Sequence, residues 1–110
     1  MIRILVPVFV VALTGIAAAQ DAGKIEKGKQ VYAAQKCQVC HSIGGVGNKR
    51  GALDNVGARL KEDDIRQWIV AAPEMSAKTK AERKPPMKSY PNLATDDLDE
   101  LVTYIASLKK

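Results

Sequence analysis

The stretch Cys37-Gln38-Val39-Cys40-His41 (CQVCH) contains both cysteines and the single histidine of this 110-residue chain. Two residues separate the thiols, so Cys37 and Cys40 would lie about one turn apart in a helical backbone, and His41 follows directly. Because the chain offers no other thiol or imidazole, any site that needs them must be built around this pentapeptide.

C-x-x-C-H is typical of covalent haem attachment, in which two thiols add to the vinyl groups of one haem and the imidazole ligates its iron. A dithiol oxidoreductase would need a βαβ scaffold, and the sequence shows no strand pattern. A structural zinc site needs four ligands, and a bare Cys37–Cys40 disulfide would close only a very small loop. We therefore predict one covalent haem c on Cys37 and Cys40, with His41 as an axial iron ligand.

A cleaved secretory signal peptide is predicted over residues 1–19. Arg3 gives it a basic start, an apolar run from Ile4 to Leu13 follows, and alanines end it. The run is shorter than the roughly 20 residues that a membrane-spanning helix needs, and an uncleaved N-terminal anchor is the alternative. Residues 20–110 would then form the mature domain, most plausibly in a bacterial periplasm.

The mature chain has about ninety residues, which is enough for one small domain with a thin core that a cofactor would complete. The formal net charge of the full chain is +5. Its basic residues are not interleaved with aromatic residues, so nucleic acid is not the expected partner. A basic surface instead favours acidic protein partners.

The apolar pattern predicts an all-α fold. A first helix should run from 22 to about 36 with Asp21 as its N-cap, and a short helix should begin with acidic residues near Glu62 and end at Pro73. Thr95 should cap the last helix. Its apolar stripe comprises Leu98, Leu101, Val102, Ile105 and Leu108.

The mature chain resembles the class I (monohaem) cytochrome c family over nearly its whole length. Beyond CQVCH, Gly28 and Tyr32 match the family's first helix, and Leu101 and Tyr104 match its last. GALDNVGARL resembles the loop beneath the haem, and PPMKSYPNL resembles the loop with the methionine ligand. The resemblance implies three to five helices around one covalent haem, with the N- and C-terminal helices crossing.

Met87 is the predicted second axial ligand. The chain has no second histidine, and Pro85 and Pro86 stiffen the approach to Met87, which also matches the family's methionine. Met75 is the weaker candidate, expected at a helix end and partly exposed. Two filled axial positions would leave no site for a substrate, which implies an electron carrier rather than an enzyme.

By the same resemblance, Trp68 could donate a hydrogen bond to a haem propionate, although a plain core role is as plausible. The residues expected to line the pocket are Leu53, Val56, Leu60, Ile69, Leu93 and Leu98. Many relatives have a proline whose carbonyl accepts a hydrogen bond from the ligating histidine. Ala52 stands at its apparent position, so a carbonyl near Gly51 or Ala52 is expected to serve.

A basic cluster surrounds the predicted methionine loop and is opposed by Glu82; it comprises Lys78, Lys80, Arg83, Lys84 and Lys88. It is either a solvated loop or a docking rim for acidic redox partners. The predicted function is a periplasmic one-electron carrier that needs a cytochrome c maturation machinery. The alternatives are an electron-transfer subunit of a larger oxidoreductase and a haem enzyme or ligand sensor with an open sixth site.

Overall fold

The computed structural model describes Pro7 and residues 14–109. Side chains are described for Pro7 and for residues 21–109. Within residues 14–109 the chain is mostly helical, as predicted. The five α-helices are α1 (Thr14–Ala34), α2 (Val56–Arg59), α3 (Glu62–Val70), α4 (Ala72–Thr79) and α5 (Thr95–Ala106). Single 3-10 turns occur at Cys37–Val39 and Lys49–Gly51. The expected all-α, cytochrome c-like architecture is confirmed.

The crossing of α1 and α5 is built around Gly28, as the resemblance implies. A Cβ atom at Gly28 would lie 2.5 Å from the Cβ of Tyr104 and would collide with the carbonyl oxygen of Glu100. The rings of Tyr32 and Tyr104 pack edge to face, with centroids 5.9 Å apart and planes at 81°. Glycine therefore lets the helix backbones touch, and the two tyrosines pack beside the contact.

The hydrophobic core lies between α5 and the shorter helices. Leu101 and Val102 of α5 are 3% and 1% exposed, and Ile65 of α3 is 3% exposed. Ile105 is also buried, whereas Leu98 and Leu108 pack against the core while partly exposed. The helical stripe predicted for α5 is therefore confirmed, with its centre more deeply buried than its ends.

Two predicted helix caps are wrong. Asp21 lies inside α1, which already runs from Thr14, so its side chain cannot cap the helix. Thr95 is the first residue of α5, and Ala94 occupies the N-cap position without a side-chain hydrogen bond. The acidic residues Asp96 and Asp97 still place negative charge in the first turn of α5, where it opposes the positive end of the helix dipole.

Pro73 begins a helix rather than ending one. Helix α3 ends at Val70, the backbone turns at Ala71, and Pro73 lies in the first turn of α4. A proline is tolerated there because the first amides of a helix have no intrahelical acceptor. Met75 consequently lies within α4 and is only 9% exposed, which contradicts the expectation of a partly exposed helix end.

The segment after the pentapeptide forms a very short antiparallel hairpin, β1 (Ser42–Ile43) with β2 (Val46–Gly47), in which Ser42 pairs with Gly47. Sequence patterning did not predict it, because two-residue strands are too short to show alternation. Gly47 has a φ of +108° and lies against the carbonyl oxygen of His41. The hairpin therefore folds back onto the pentapeptide.

The predicted signal peptide lies mostly outside the described residues, and its cleavage after Ala19 stays a prediction. Backbone from Thr14 onward belongs to α1, so this helix passes through the predicted cleavage site. In the part of the chain that the structure describes, no helix combines the length and apolar character needed to cross a membrane.

Candidate haem site

One large, mostly apolar cavity is bordered by Cys37, His41, Met87 and Trp68, whereas Cys40 lies in the same turn but does not border it. Its volume is about 980 Å³ including the open mouth, within the range of ligand pockets. Helices α2, α3, α4 and α5, the end of α1, the pentapeptide and the segment around Met87 contribute to its wall. The lining residues central to the site are Cys37, His41, Met87, Trp68, Tyr32 and Arg83.

His41 is oriented by a backbone hydrogen bond. Its Nδ1 lies 2.9 Å from the carbonyl oxygen of Gly51, and because a carbonyl can only accept, Nδ1 must carry the proton. In the neutral imidazole Nε2 then keeps its lone pair for a metal. Burial lowers the pKa of His41, with the nearby Arg83 acting in the same direction and the Gly51 hydrogen bond opposing it. The expected carbonyl partner is therefore present at Gly51, despite the missing proline.

The two cysteines are free thiols and are half-buried. Amide hydrogen bonds to the Cys37 carbonyl from Cys40 (3.1 Å) and His41 (2.9 Å) hold the pentapeptide in a compact turn. Burial raises the pKa of Cys37 to about 11, opposed by its own backbone hydrogen bond, while Cys40 adds to the rise. Cys37 is thus a neutral thiol at neutral pH, unlike the low-pKa nucleophile of a dithiol oxidoreductase.

The donor set does not match a zinc site. Among the residues that the structure describes, no group of three or more His, Cys, Asp or Glu side chains is assembled for a metal ion. The pentapeptide supplies at most three donors, and no carboxylate of the described residues completes them. The Cys37 thiol and the oriented imidazole border an apolar cavity, with Cys40 in the same turn, and this arrangement instead fits a flat apolar cofactor that is attached and ligated at one edge of its pocket.

Met87 borders the cavity, and Met75 does not. Residues 80–94 contain no helix or strand, so Met87 is held by contacts of its segment with the rest of the fold. Pro86 precedes it in the cavity wall, and three residues later the Tyr90 amide donates a 2.7 Å hydrogen bond to the carbonyl of Ile69 in α3. Of the two methionine candidates, the geometry brings only Met87 to the cavity that His41 borders.

The apolar wall is largely as predicted. Leu53, Val56, Leu60 and Ile69 line the cavity, whereas Leu93 and Leu98 pack against the hydrophobic core and do not border it. Sequence reasoning missed the lining residues Ile65 of α3 and Leu101 and Ile105 of α5. Their helical stripes were visible, but a stripe shows that a face is buried and not what it is buried against.

Trp68 stands in the cavity wall and is half-buried. Its ring therefore adjoins the space that a haem would occupy, which suits either of its predicted roles. The hydrogen bond from its indole to a propionate stays a prediction.

Tyr32 provides an independent sign that a further group belongs in the cavity. Its hydroxyl is buried, and none of the residues that the structure describes gives it a hydrogen-bond partner. Burial raises the pKa of Tyr32 to about 12, with smaller contributions from Cys37, Tyr104 and Asp54. An unsatisfied buried hydroxyl costs about 1–3 kcal/mol, so an occupant or ordered water in the cavity would relieve a real penalty.

Arg83 was predicted as part of an exposed basic rim, and the structure shows otherwise. Its side chain is half-buried and borders the cavity, and its Nη2 donates a hydrogen bond to the carbonyl oxygen of Cys40. No pattern in the sequence distinguishes this arginine from its basic neighbours. Lys78, Lys80, Lys84 and Lys88 are exposed, as expected.

Comparison with known proteins agrees with this site. The model of the family described as Cytochrome c matches residues 25–109. This chain belongs to the cytochrome c family. Membership implies covalently bound haem c, electron transfer and redox partners, and the cavity beside Cys37 and His41 is where this cytochrome c can hold the group.

One curated relative is cytochrome c oxidase subunit 2 of Alkalihalophilus pseudofirmus. It is 28% identical to this cytochrome c over 92 residues, covering 76% of this chain and 25% of that protein. The chain therefore spans about a quarter of the length of the relative that it matches. No solved structure matches the chain.

Proposed function

We propose that this cytochrome c is a periplasmic one-electron carrier with a His41/Met87-ligated haem c attached through Cys37 and Cys40. The observation that carries the proposal is that Cys37, His41 and Met87 border one apolar cavity. Bound there, the haem would supply the redox chemistry, its iron alternating between the ferric and ferrous states.

The chain's residues would hold and tune that group. Gly51 fixes the His41 ring so that Nε2 is the free nitrogen, which is the usual role of a carbonyl beside a ligating histidine. Met87 offers a thioether from a different part of the cavity wall. If His41 and Met87 both ligated the iron, no position would be left for oxygen or a substrate, which would favour electron transfer over catalysis.

The cavity wall supports a high reduction potential. Thioether ligation and an apolar, water-poor environment both favour the ferrous state over the more highly charged ferric state. Buried Val56, Ile65, Ile69, Leu101 and Ile105 form this environment.

The exposed lysines are suited to docking. Lys78, Lys80, Lys84 and Lys88 lie in and after α4, on the chain segment that carries Met87, and all four are exposed. We define these four as the lysine rim. A complementary acidic surface on a redox partner would be attracted to it from a distance, which raises association rates at low salt.

A second candidate function is electron transfer within a larger oxidase. Similarity to a segment of an oxidase subunit 2 supports it, because that protein is about four times as long as the matched part. Size-exclusion chromatography of the detergent-solubilised native protein separates the two: a free carrier elutes alone, and a subunit elutes with its complex.

The ligand assignment is tested with a matched pair of substitutions, Met87→Leu and Met75→Leu. Each removes one sulfur and conserves volume, so both proteins should fold. We expect intact mass to show one covalent haem, and the ferric spectrum to show a red sulfur-to-iron charge-transfer band. That band should vanish in Met87→Leu and persist in Met75→Leu.

Two results would contradict the proposal. A high-spin ferric wild type that binds cyanide or carbon monoxide rapidly would favour the haem enzyme or sensor with an open site. A correctly matured chain whose mass contains no haem would overturn the attachment itself.

A further inference from the structure

Arg83 links two segments that are far apart in sequence. Its guanidinium donates a hydrogen bond from Nη2 to the carbonyl oxygen of Cys40, 43 positions earlier in the chain. Its flanking residues Glu82 and Lys84 are exposed, whereas Arg83 is half-buried and borders the cavity. The side chain of Arg83 is therefore directed inward between two solvated neighbours.

Gly51 provides the space for this contact. A Cβ atom there would collide with Nη1 of Arg83 and with the carbonyl oxygen of Cys40. The carbonyl of the same glycine accepts the hydrogen bond from His41 Nδ1. The guanidinium thus occupies the place where a larger residue 51 would put its side chain, directly beside the backbone that orients the imidazole.

The contact matters because few hydrogen bonds hold this segment. Backbone hydrogen bonds tie it down at its two ends, from the Ala81 amide to Ser76 at 3.0 Å and from the Tyr90 amide to Ile69 at 2.7 Å. Among the hydrogen bonds of the described residues, the one from Arg83 is the one that joins residues 82–89 to the rest of the fold. Met87 is four residues beyond this anchor and three before Tyr90.

We propose that Arg83 is a positioning residue that ties the Met87 segment to the haem-attachment turn, in a slot that Gly51 leaves open. The inference rests on the proposed ligation by Met87. It assigns Arg83 two effects: its hydrogen bond holds the methionine against the cavity, and its positive charge beside His41 raises the reduction potential. One side chain thereby connects the segments that carry the two axial ligands.

The test compares Arg83→Gln with Lys84→Gln in the matured holoprotein. Both remove one positive charge from the same segment, but Lys84 is exposed and has no such contact. Imidazole is the probe, because it competes with Met87 for ferric iron. Loss of a hydrogen bond from a charged, partly exposed donor should change the apparent affinity for imidazole about tenfold.

We expect imidazole to bind about tenfold more tightly to Arg83→Gln than to wild type, with Lys84→Gln close to wild type. The reduction potential should fall more in Arg83→Gln than in Lys84→Gln, because the guanidinium lies beside His41. Arg83→Lys should recover part of the potential and little of the imidazole resistance, since a lysine keeps the charge but lacks the planar fork.

Gly51→Ala tests the contact between Arg83 and the Cys40 carbonyl by changing the residue beside it. Its methyl group should displace the guanidinium and increase imidazole affinity. An imidazole affinity in Gly51→Ala equal to that of wild type would overturn the proposed slot. Equal imidazole affinities and potentials in Arg83→Gln and Lys84→Gln would overturn the role of Arg83.

If the proposed ligation by Met87 is wrong, the experiments give a different result from the one expected if only the role of Arg83 is wrong. If the wild-type ferric protein lacks the charge-transfer band, Met87 is not the ligand, and both proposals fall together. If the band is present in wild type and lost in Met87→Leu, only the comparison of the Arg83 and Lys84 variants decides the inference.

Discussion

The crossing of α1 and α5 and the segment 80–94 are held in place in opposite ways. At the crossing, Gly28 lets two backbones touch, the tyrosine rings pack edge to face, and regular helical hydrogen bonds satisfy the main chain. Segment 80–94 has no regular structure and is anchored at a few points, among them Tyr90 and Arg83.

This difference divides the molecule into two parts. We call the closely packed crossing of α1 and α5 the frame, and the loosely anchored segment 80–94 the arm. Close packing of helices is stabilised by buried apolar area and resists small changes. Segment 80–94 has few internal hydrogen bonds, so it owes its conformation mostly to external contacts, which include any group bound in the cavity. We therefore expect the arm to open while the frame stays folded.

The largest expected difference is in hydrogen exchange of the holoprotein. The Tyr90 amide, bonded to Ile69 at 2.7 Å, should exchange through local opening of the segment, whereas amides in the middle of α5 should require global unfolding. Protection should differ by at least about 100-fold. NMR or mass-spectrometric exchange measures both, and equal protection would remove the distinction between frame and arm.

A methyl group at the crossing should destabilise the frame. In Gly28→Ala the new Cβ meets the Glu100 carbonyl and the Tyr104 Cβ, so we expect a loss of about 1–3 kcal/mol in the free energy of unfolding. Gly23→Ala in the same helix is the matched control. Its Cβ would meet nothing within 4 Å, so the better helix propensity of alanine should stabilise it by up to about 1 kcal/mol. Denaturant unfolding compares them, and equal effects would contradict the tight crossing.

High pH should destabilise the protein through Tyr32. The pKa of Tyr32 is raised from 10.0 to about 12 in the folded protein, chiefly by burial. Below pH 10.0 the phenol is neutral in both states and its contribution is intact. Between 10.0 and about 12 the unfolded chain loses the proton first, so stability falls as pH rises.

Tyr32→Phe should flatten this alkaline decline, as followed by denaturant unfolding on both sides of pH 10.0. Tyr104→Phe should also flatten the decline, because burial raises the pKa of Tyr104 as well. If stability declined with the same slope in Tyr32→Phe and in wild type, the pKa of Tyr32 would not differ between the folded and unfolded states, which would contradict the prediction.

The smallest expected effect is that of the ion pair between α3 and α5. Arg66 Nη1 lies 2.8 Å from Asp99 Oδ1, and the two side chains are 34% and 40% exposed. Partly solvated pairs contribute about 0.2–1 kcal/mol, so a double-mutant cycle with Arg66→Gln and Asp99→Asn should give a coupling energy within that range. A coupling well above it would mean that this pair, rather than apolar packing, fastens α3 to the frame.

Sequence reasoning was most successful where a residue type at a given spacing is compatible with few structures. CQVCH led to the cavity, and Gly28 with Tyr32 led to the crossing, because close helix contact demands glycine. It failed for Pro73, since a proline that forbids a helix interior also favours a first helical turn. The same error led to the wrong prediction that Met75 lies at a partly exposed helix end, whereas it is buried within α4.

Arg83 shows a different kind of limit. In the sequence it is one of five basic residues around a loop, and local chemistry gives no reason to separate it from Lys84. Only the fold brings it beside Gly51 and the Cys40 carbonyl. The orphaned hydroxyl of Tyr32 was equally invisible, because burial and the absence of a partner depend on every neighbouring element.

The sequence alone predicted the attachment chemistry and determined the helical frame, because thiol and imidazole spacing and apolar periodicity are local properties of the chain. The tertiary structure decided which methionine faces the cavity, which carbonyl orients His41 and which cation turns inward. Those choices depend on contacts between residues that are far apart in sequence, and such contacts exist only once the helices have packed.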